Sequence, residues 1–129
     1  MPEHHRPPVG TIAWVDLSVR DAPSVRDFYT GVCGWTAEEV PMGEYADFNM
    51  IAQSTGFPVA GVCHARGVNE GLPAQWLMYV VVADLDQALA AVPARGGTVL
   101  RQRTSMGSHG DYGVVRDPAG AVLAVFQAK

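Results

Sequence analysis

TIAWVDLSVRDAPSVRDFYTGVCGW, residues 11 to 35, changes its period halfway along, and that change decides the fold. Its first part alternates: Ala13, Val15, Leu17 and Val19 fall on one side of an extended strand, and Ile12, Trp14, Asp16 and Ser18 on the other. One side wants a core, and the other is free to line a site. From Asp21 the spacing becomes helical, with Val25, Phe28, Tyr29 and Val32 at i, i+3, i+4 and i+7 as the buried stripe. Asp21 caps the first turn, Pro23 fits where no amide is needed, and Gly31 and Gly34 stop the helix.

A second stretch, WLMYVVVADLDQALAAVPARGGT from Trp76 to Thr98, repeats the design. Asp84 stands where Asp21 does and Gly97 where Gly34 does, at one offset (84 − 21 = 63 and 97 − 34 = 63). Leu85, Ala88, Leu89 and Val92 form the second buried stripe, and Pro93 is placed to shorten or bend that helix.

Between and after these stretches the chain is strand and turn. Thr36 to Met42 and Tyr45 to Ile51 read as a hairpin around Gly43-Glu44, and Val59 to His64 as a short apolar strand. Thr98 to Gln102 is a strand and Thr104 to Gly110 a loop. Tyr112 to Arg116 and Ala121 to Phe126 flank the turn Asp117-Pro118-Ala119-Gly120. Each half therefore reads strand, helix, strand, strand, strand. The expected organisation is an irregular arm over residues 1–8 and a single domain over 9–129. Within it, module one covers about 9–65, a linker 65–74 and module two about 75–127.

At 129 residues and 48% apolar content the chain suits one compact domain with its own core. A net charge of −4 with scattered basic residues offers no footprint for nucleic acid. No apolar run is long enough for a membrane span and no secretory signal begins the chain, so a cytoplasmic protein is expected. Cys33 and Cys63 read as free thiols, with Cys63 a packing residue. His4 and His5, adjacent on the arm, make a poor preorganised metal site.

The doubled βαβββ unit resembles the vicinal oxygen chelate superfamily, which contains glyoxalase I, bleomycin resistance proteins and extradiol dioxygenases. The residues that carry the resemblance are Asp21, Phe28-Tyr29, Gly34-Trp35, Tyr79 to Asp84, Gly96-Gly97 and Asp117 to Gly120. It implies an α+β fold in which two βαβββ modules form a curved mixed sheet around a cavity, and a homodimer. It also implies four metal-ligand positions, which fall here on Trp14, Leu77, Ala124 and, near the end of module one, Gly61. None offers an oxygen or nitrogen donor, so neither metal nor other cofactor is expected.

With that resemblance the inward residues become Trp14, Asp16 and Ser18, their echoes Leu77, Tyr79 and Val81, and on the last strand Val122, Ala124 and Phe126. The ligand-binding set expected is Trp14, Asp16, Leu77, Tyr79, Ala124 and Phe126, an apolar and aromatic wall suited to a flat or hydrophobic molecule. Candidates for chemistry are Asp16 as a base or cation binder oriented by Tyr79, and His109 on a lid over residues 107–110. Each also has a plainer role, in backbone hydrogen bonding, packing or an exposed loop. Gly107 to Asp111 is not a catalytic triad, since loop neighbours do not align with one another. Glu44 and Asp47 are expected in solvent at the hairpin turn, while Arg101 and Arg103 fit either an anion clamp or a soluble edge.

The expected function is metal-free sequestration of a small aromatic or hydrophobic compound, similar to bleomycin resistance proteins, bordered by Trp14, Trp76, Tyr79 and Phe126. The alternative is an enzyme of the glyoxalase, isomerase or dioxygenase kind. It would use His64 and His109 with Asp16 or Glu44 as an unusual ligand set, or Asp16 alone.

Overall fold

A computed structural model describes residues 6–129, so His4 and His5 lie outside the described residues. The elements follow in the order β1 (Ile12–Val19), α1 (Ala22–Cys33), β2 (Thr36–Pro41), β3 (Ala46–Ile51), β4 (Pro58–His64), β5 (Trp76–Val81), α2 (Leu85–Ala94), β6 (Thr98–Ser105), β7 (Gly110–Arg116) and β8 (Val122–Ala128). Short 3₁₀ turns occupy Gly67–Asn69 and Gly107–His109. The fold is α+β with two βαβββ modules, and the chain divides into two compact units. The first is Trp14–Trp76; the second is Leu77–Lys129 with residues 6–13.

In the first unit the strands lie in the order β2, β3, β4, β1. β1 and β4 run parallel with Asp16 opposite Gly61 and Ser18 opposite Cys63, while the β2–β3 and β3–β4 pairs are antiparallel. The core joins Ala22 of α1 to Phe48, Met50, Ala60 and Val62, with Val15, Val25, Tyr29, Trp35 and Trp76 packed against it. Asp21 caps α1 by accepting from the Ser24 amide at 3.2 Å, and Gly34 ends it in the left-handed region at φ 74°. Two expectations are corrected. Gly31 lies inside the helix, and Phe28 and Val32 are 59% and 66% exposed. The contact stripe runs through Ala22, Val25 and Tyr29, which turns Phe28 and Val32 outward beside it.

The second unit repeats the plan with β5, β8, β7, β6. Its parallel pair sets Tyr79 opposite Ala124, the Asp16–Gly61 pairing carried 63 residues on (16 + 63 = 79, 61 + 63 = 124). Leu85 and Leu89 of α2 bury against Val115, with Val92, Val99, Leu123 and Val125 around them. Asp84 caps α2 through the Gln87 amide at 3.0 Å.

The echo fails at the helix end. α2 closes at Ala94, where the offset from Cys33 would give 96, because Pro93 cannot continue the hydrogen-bond ladder. The left-handed glycine is consequently Gly96, at φ 86°, and not Gly97. Gly97 is needed for a different reason: a Cβ there would stand 2.6 Å from the Arg116 carbonyl. β6 also runs on to Ser105, past Gln102, and reduces the expected loop over Thr104 to Gly110 to one tight turn.

Candidate functional site

The first unit has one sheet face against α1 and one turned away from it. Since side chains alternate along a strand, Trp14, Asp16 and Ser18 of β1 share the outer face with Gly61 and Cys63 of β4 and with Asp47 and Asn49 of β3. The pairings align Glu38, Asn49, Gly61 and Asp16 in one row across four strands. At the end of that row the Trp14 indole N–H donates to Asp16 Oδ1 at 2.5 Å. Gly61 makes this possible. A Cβ there would collide with the Asp16 carboxylate and stand 3.5 Å from the indole nitrogen, so the glycine supplies the space that the acid occupies.

Along the same face Asp47 is buried at 7% exposure, which corrects its expected place in solvent. Its Oδ1 accepts from the His64 backbone amide at 2.8 Å and lies 3.2 Å from His64 Nδ1. Burial first, then the negative charges of Asp16 and Asp47 and a hydrogen bond to Asp47, push the Cys63 thiol well above its ordinary range. Cys63 is therefore a protonated thiol and no nucleophile. His64 packs edge-on to the Tyr45 ring at 4.9 Å, and the Arg66 guanidinium covers that ring at 4.2 Å.

In the second unit the corresponding residues are closed off. Leu77, Tyr79, Ala124 and Phe126 are 3%, 5%, 0% and 8% exposed, and the Tyr79 ring lies 5.7 Å from that of Tyr112. Trp14 and Asp16, by contrast, are half-buried. The four positions at which the resemblance implies metal ligands hold an indole, a glycine, an isobutyl group and a methyl. Such a donor set does not fit a divalent metal, and no group of three His, Cys, Asp or Glu among the described residues could hold one.

Other expectations change with the coordinates. Trp76 sits on the α1 side of its unit, its indole N–H donating to Tyr29 Oη at 3.0 Å, with Trp35 at 6.1 Å, and so is a core residue. His109 is exposed in the 3₁₀ turn, and its carbonyl accepts from the Lys129 amide, which anchors the turn to the C-terminus. It belongs to the second unit and His64 to the first. Arg103 binds Asp86 at 3.1 Å and also Asp111, so its charge is spent within the unit rather than on an anion. The Asp47–His64 contact was the residue pair that sequence reading missed. Its signal was parity: pairing β3 with β4 puts Asp47 beside the end of β4.

Comparison with known proteins agrees with this architecture. The model of the Glyoxalase/Bleomycin resistance protein/Dioxygenase superfamily matches residues 11–125. CFP32 of Mycobacterium bovis, provisionally named a glyoxylase, is 31% identical over 129 residues, 99% of this chain and 49% of the relative. The anthracycline biosynthesis protein DnrV of Streptomyces peucetius is 33% identical, over 92% of this chain and 47% of its own length. The chain thus spans about half the length of these curated relatives. Among solved structures, a member of the same superfamily from Vibrio splendidus 12B01 superposes with a TM-score of 0.59 at 16% identity, covering 91% of this chain and 99% of that one.

Proposed function

From the chain's membership of the glyoxalase/bleomycin resistance protein/dioxygenase superfamily, we propose that it binds and sequesters a small aromatic or hydrophobic molecule, without a resident metal, on the outer face of its first unit. The observation that carries this reading is Trp14. A large aromatic side chain stands at a position where the family resemblance implies a metal ligand, half-buried and fixed in orientation by its bond to Asp16. Val59, 40% exposed, shares that face, and Phe57, 70% exposed, precedes the strand. Exposed apolar area beside an oriented indole is what a flat ligand needs for burial and stacking. DnrV, named for anthracycline biosynthesis, is a relative in which small-molecule chemistry is stated, and it supports a ligand of this general kind.

Calorimetric titration of purified protein with 1-naphthol tests the reading. Saturable binding without turnover is expected, weakened about tenfold by Trp14→Ala and little changed by Trp35→Ala. Absence of binding overturns it. Copies of the chain act as a homodimer in this proposal, which sedimentation checks.

One observation favours a second reading, an acid–base enzyme. Asp47 orients His64 through Nδ1, an arrangement that leaves the other ring nitrogen to carry a proton. Thermal-shift measurements with Zn, Mn, Ni and Fe, repeated on His64→Ala, separate the two. Stoichiometric metal that stabilises the protein and is lost in that variant replaces sequestration with a metal-assisted reaction.

A further inference from the structure

Most polar groups on the outer face of the first unit are taken up within the protein. Asp16 is engaged by the Trp14 indole N–H and by a further interaction of its own. Asp47 holds the His64 backbone amide and ring, and the Cys63 thiol is hydrogen-bonded to Asp47. Asn49 of β3 is different. It is half-buried, it stands between Glu38 and Gly61 in the row across four strands, and its side-chain amide makes no hydrogen bond to another described residue. Packing does not call for an amide there, since β3 supplies the core through its neighbours Phe48 and Met50. Gly61, next in the row, raises no side chain between Asn49 and the Trp14–Asp16 pair. Two strand spacings, about 10 Å, separate β3 from β1, which is the scale of a two-ring aromatic with one substituent.

Resting on the sequestration reading above, we propose that Asn49 selects the ligand and that the ligand class is a neutral aromatic alcohol of the phenol kind, its ring against Trp14 and its hydroxyl at the Asn49 amide. An asparagine side chain has a carbonyl oxygen that accepts and an N–H pair that donates, and a hydroxyl can use both. The carboxylates of Asp16, Glu38 and Asp47 give the face a negative potential. That potential favours a group that turns an O–H hydrogen toward it and disfavours a carboxylate or phosphate. Discrimination comes from the amide's need for a partner. A ring without the hydroxyl covers Asn49 and strips its water without replacing the lost hydrogen bonds, whereas a phenol replaces them.

Three probes with one ring system separate the hydroxyl from the ring: 1-naphthol, which donates and accepts, 1-methoxynaphthalene, which only accepts, and 1-methylnaphthalene, which does neither. Equilibrium dialysis against the intact protein at neutral pH gives the three dissociation constants. Asn49→Leu, close in size and apolar, is expected to weaken 1-naphthol by about tenfold and to leave 1-methylnaphthalene unchanged or tighter. The ratio of those two constants is the readout, because it cancels the different hydrophobicities of the probes. 1-Methoxynaphthalene is expected to lose no more than about twofold, since it brings no O–H to the amide. Asn49→Ala removes the same amide without filling its place, and the same change in ratio is expected from it, so the test holds if either variant folds. A ratio unmoved in the folded variants, or a loss for 1-methoxynaphthalene equal to that for 1-naphthol, overturns the hydroxyl assignment but leaves aromatic sequestration standing. Failure of all three probes to bind the parent protein removes both.

Discussion

Gly61 shows how much of the site rests on one missing methyl group. Its backbone is ordinary, so flexibility is not the reason for the glycine; the reason is the Asp16 carboxylate standing where a Cβ would go. Gly61→Ala is expected to cost about 1–3 kcal/mol as Asp16 is driven off the Trp14 indole. Adding Asp16→Ser should recover part of that loss, which urea denaturation of the single and double variants measures as non-additivity. Cys63, on the same face, gives a pH signature. Its thiol affinity for a proton is raised in the folded chain, by burial first and then by Asp16 and Asp47. Above the unfolded thiol's pKa, about 8.5, the unfolded chain loses a proton that the native chain keeps. Stability contributed by Cys63 is therefore complete below that pH and falls above it by about 1.4 kcal/mol per pH unit, a slope that Cys63→Ala should remove. Cys33 is exposed, so a thiol reagent at neutral pH should label it in the native protein and reach Cys63 only on unfolding.

At the scale of elements, both helices are started by the same device and ended by different ones. Asp21→Ala and Asp84→Ala should each cost about 1 kcal/mol in thermal or urea unfolding, since each removes an acceptor for a first-turn amide. Gly31→Ala should instead stabilise by about 0.5–1 kcal/mol, because that residue is helical, in the last turn of α1, with open space around it. These are the features that a sequence makes legible. A cap, a period of two or 3.6 and a turn glycine are local, and eight strands and two helices follow from them in the right order. What was not legible depends on contacts between distant residues. The period of α1 gives a stripe but not its width, so Phe28 and Val32 were placed inside it. Asp47 looked like a turn residue because His64, 17 positions away, is what holds it. The duplication alone puts the end of α2 two residues late, because it carries no trace of the local effect of Pro93.

For the molecule as a whole, the 63-residue duplication places equivalent positions on two sheet faces that have since taken different roles. In the first unit the position holds Trp14, half-buried beside an acid and a glycine; in the second it holds Leu77, 3% exposed among Tyr79, Ala124 and Phe126. Burial of that second set is the signature of packing, and a buried leucine supports the fold whether or not a ligand is present. The two sites should therefore answer differently to one kind of truncation. Leu77→Ala is expected to lower unfolding free energy by about 2–5 kcal/mol, while the surviving folded protein binds 1-naphthol within about threefold of the parent. Trp14→Ala is expected to lower stability less and to weaken the same probe by about tenfold or more. Paired urea denaturation and calorimetry on the two variants read both quantities. Should Leu77→Ala weaken the probe as much as Trp14→Ala does while the protein stays folded, the assignment of binding to the outer face of the first unit would be overturned.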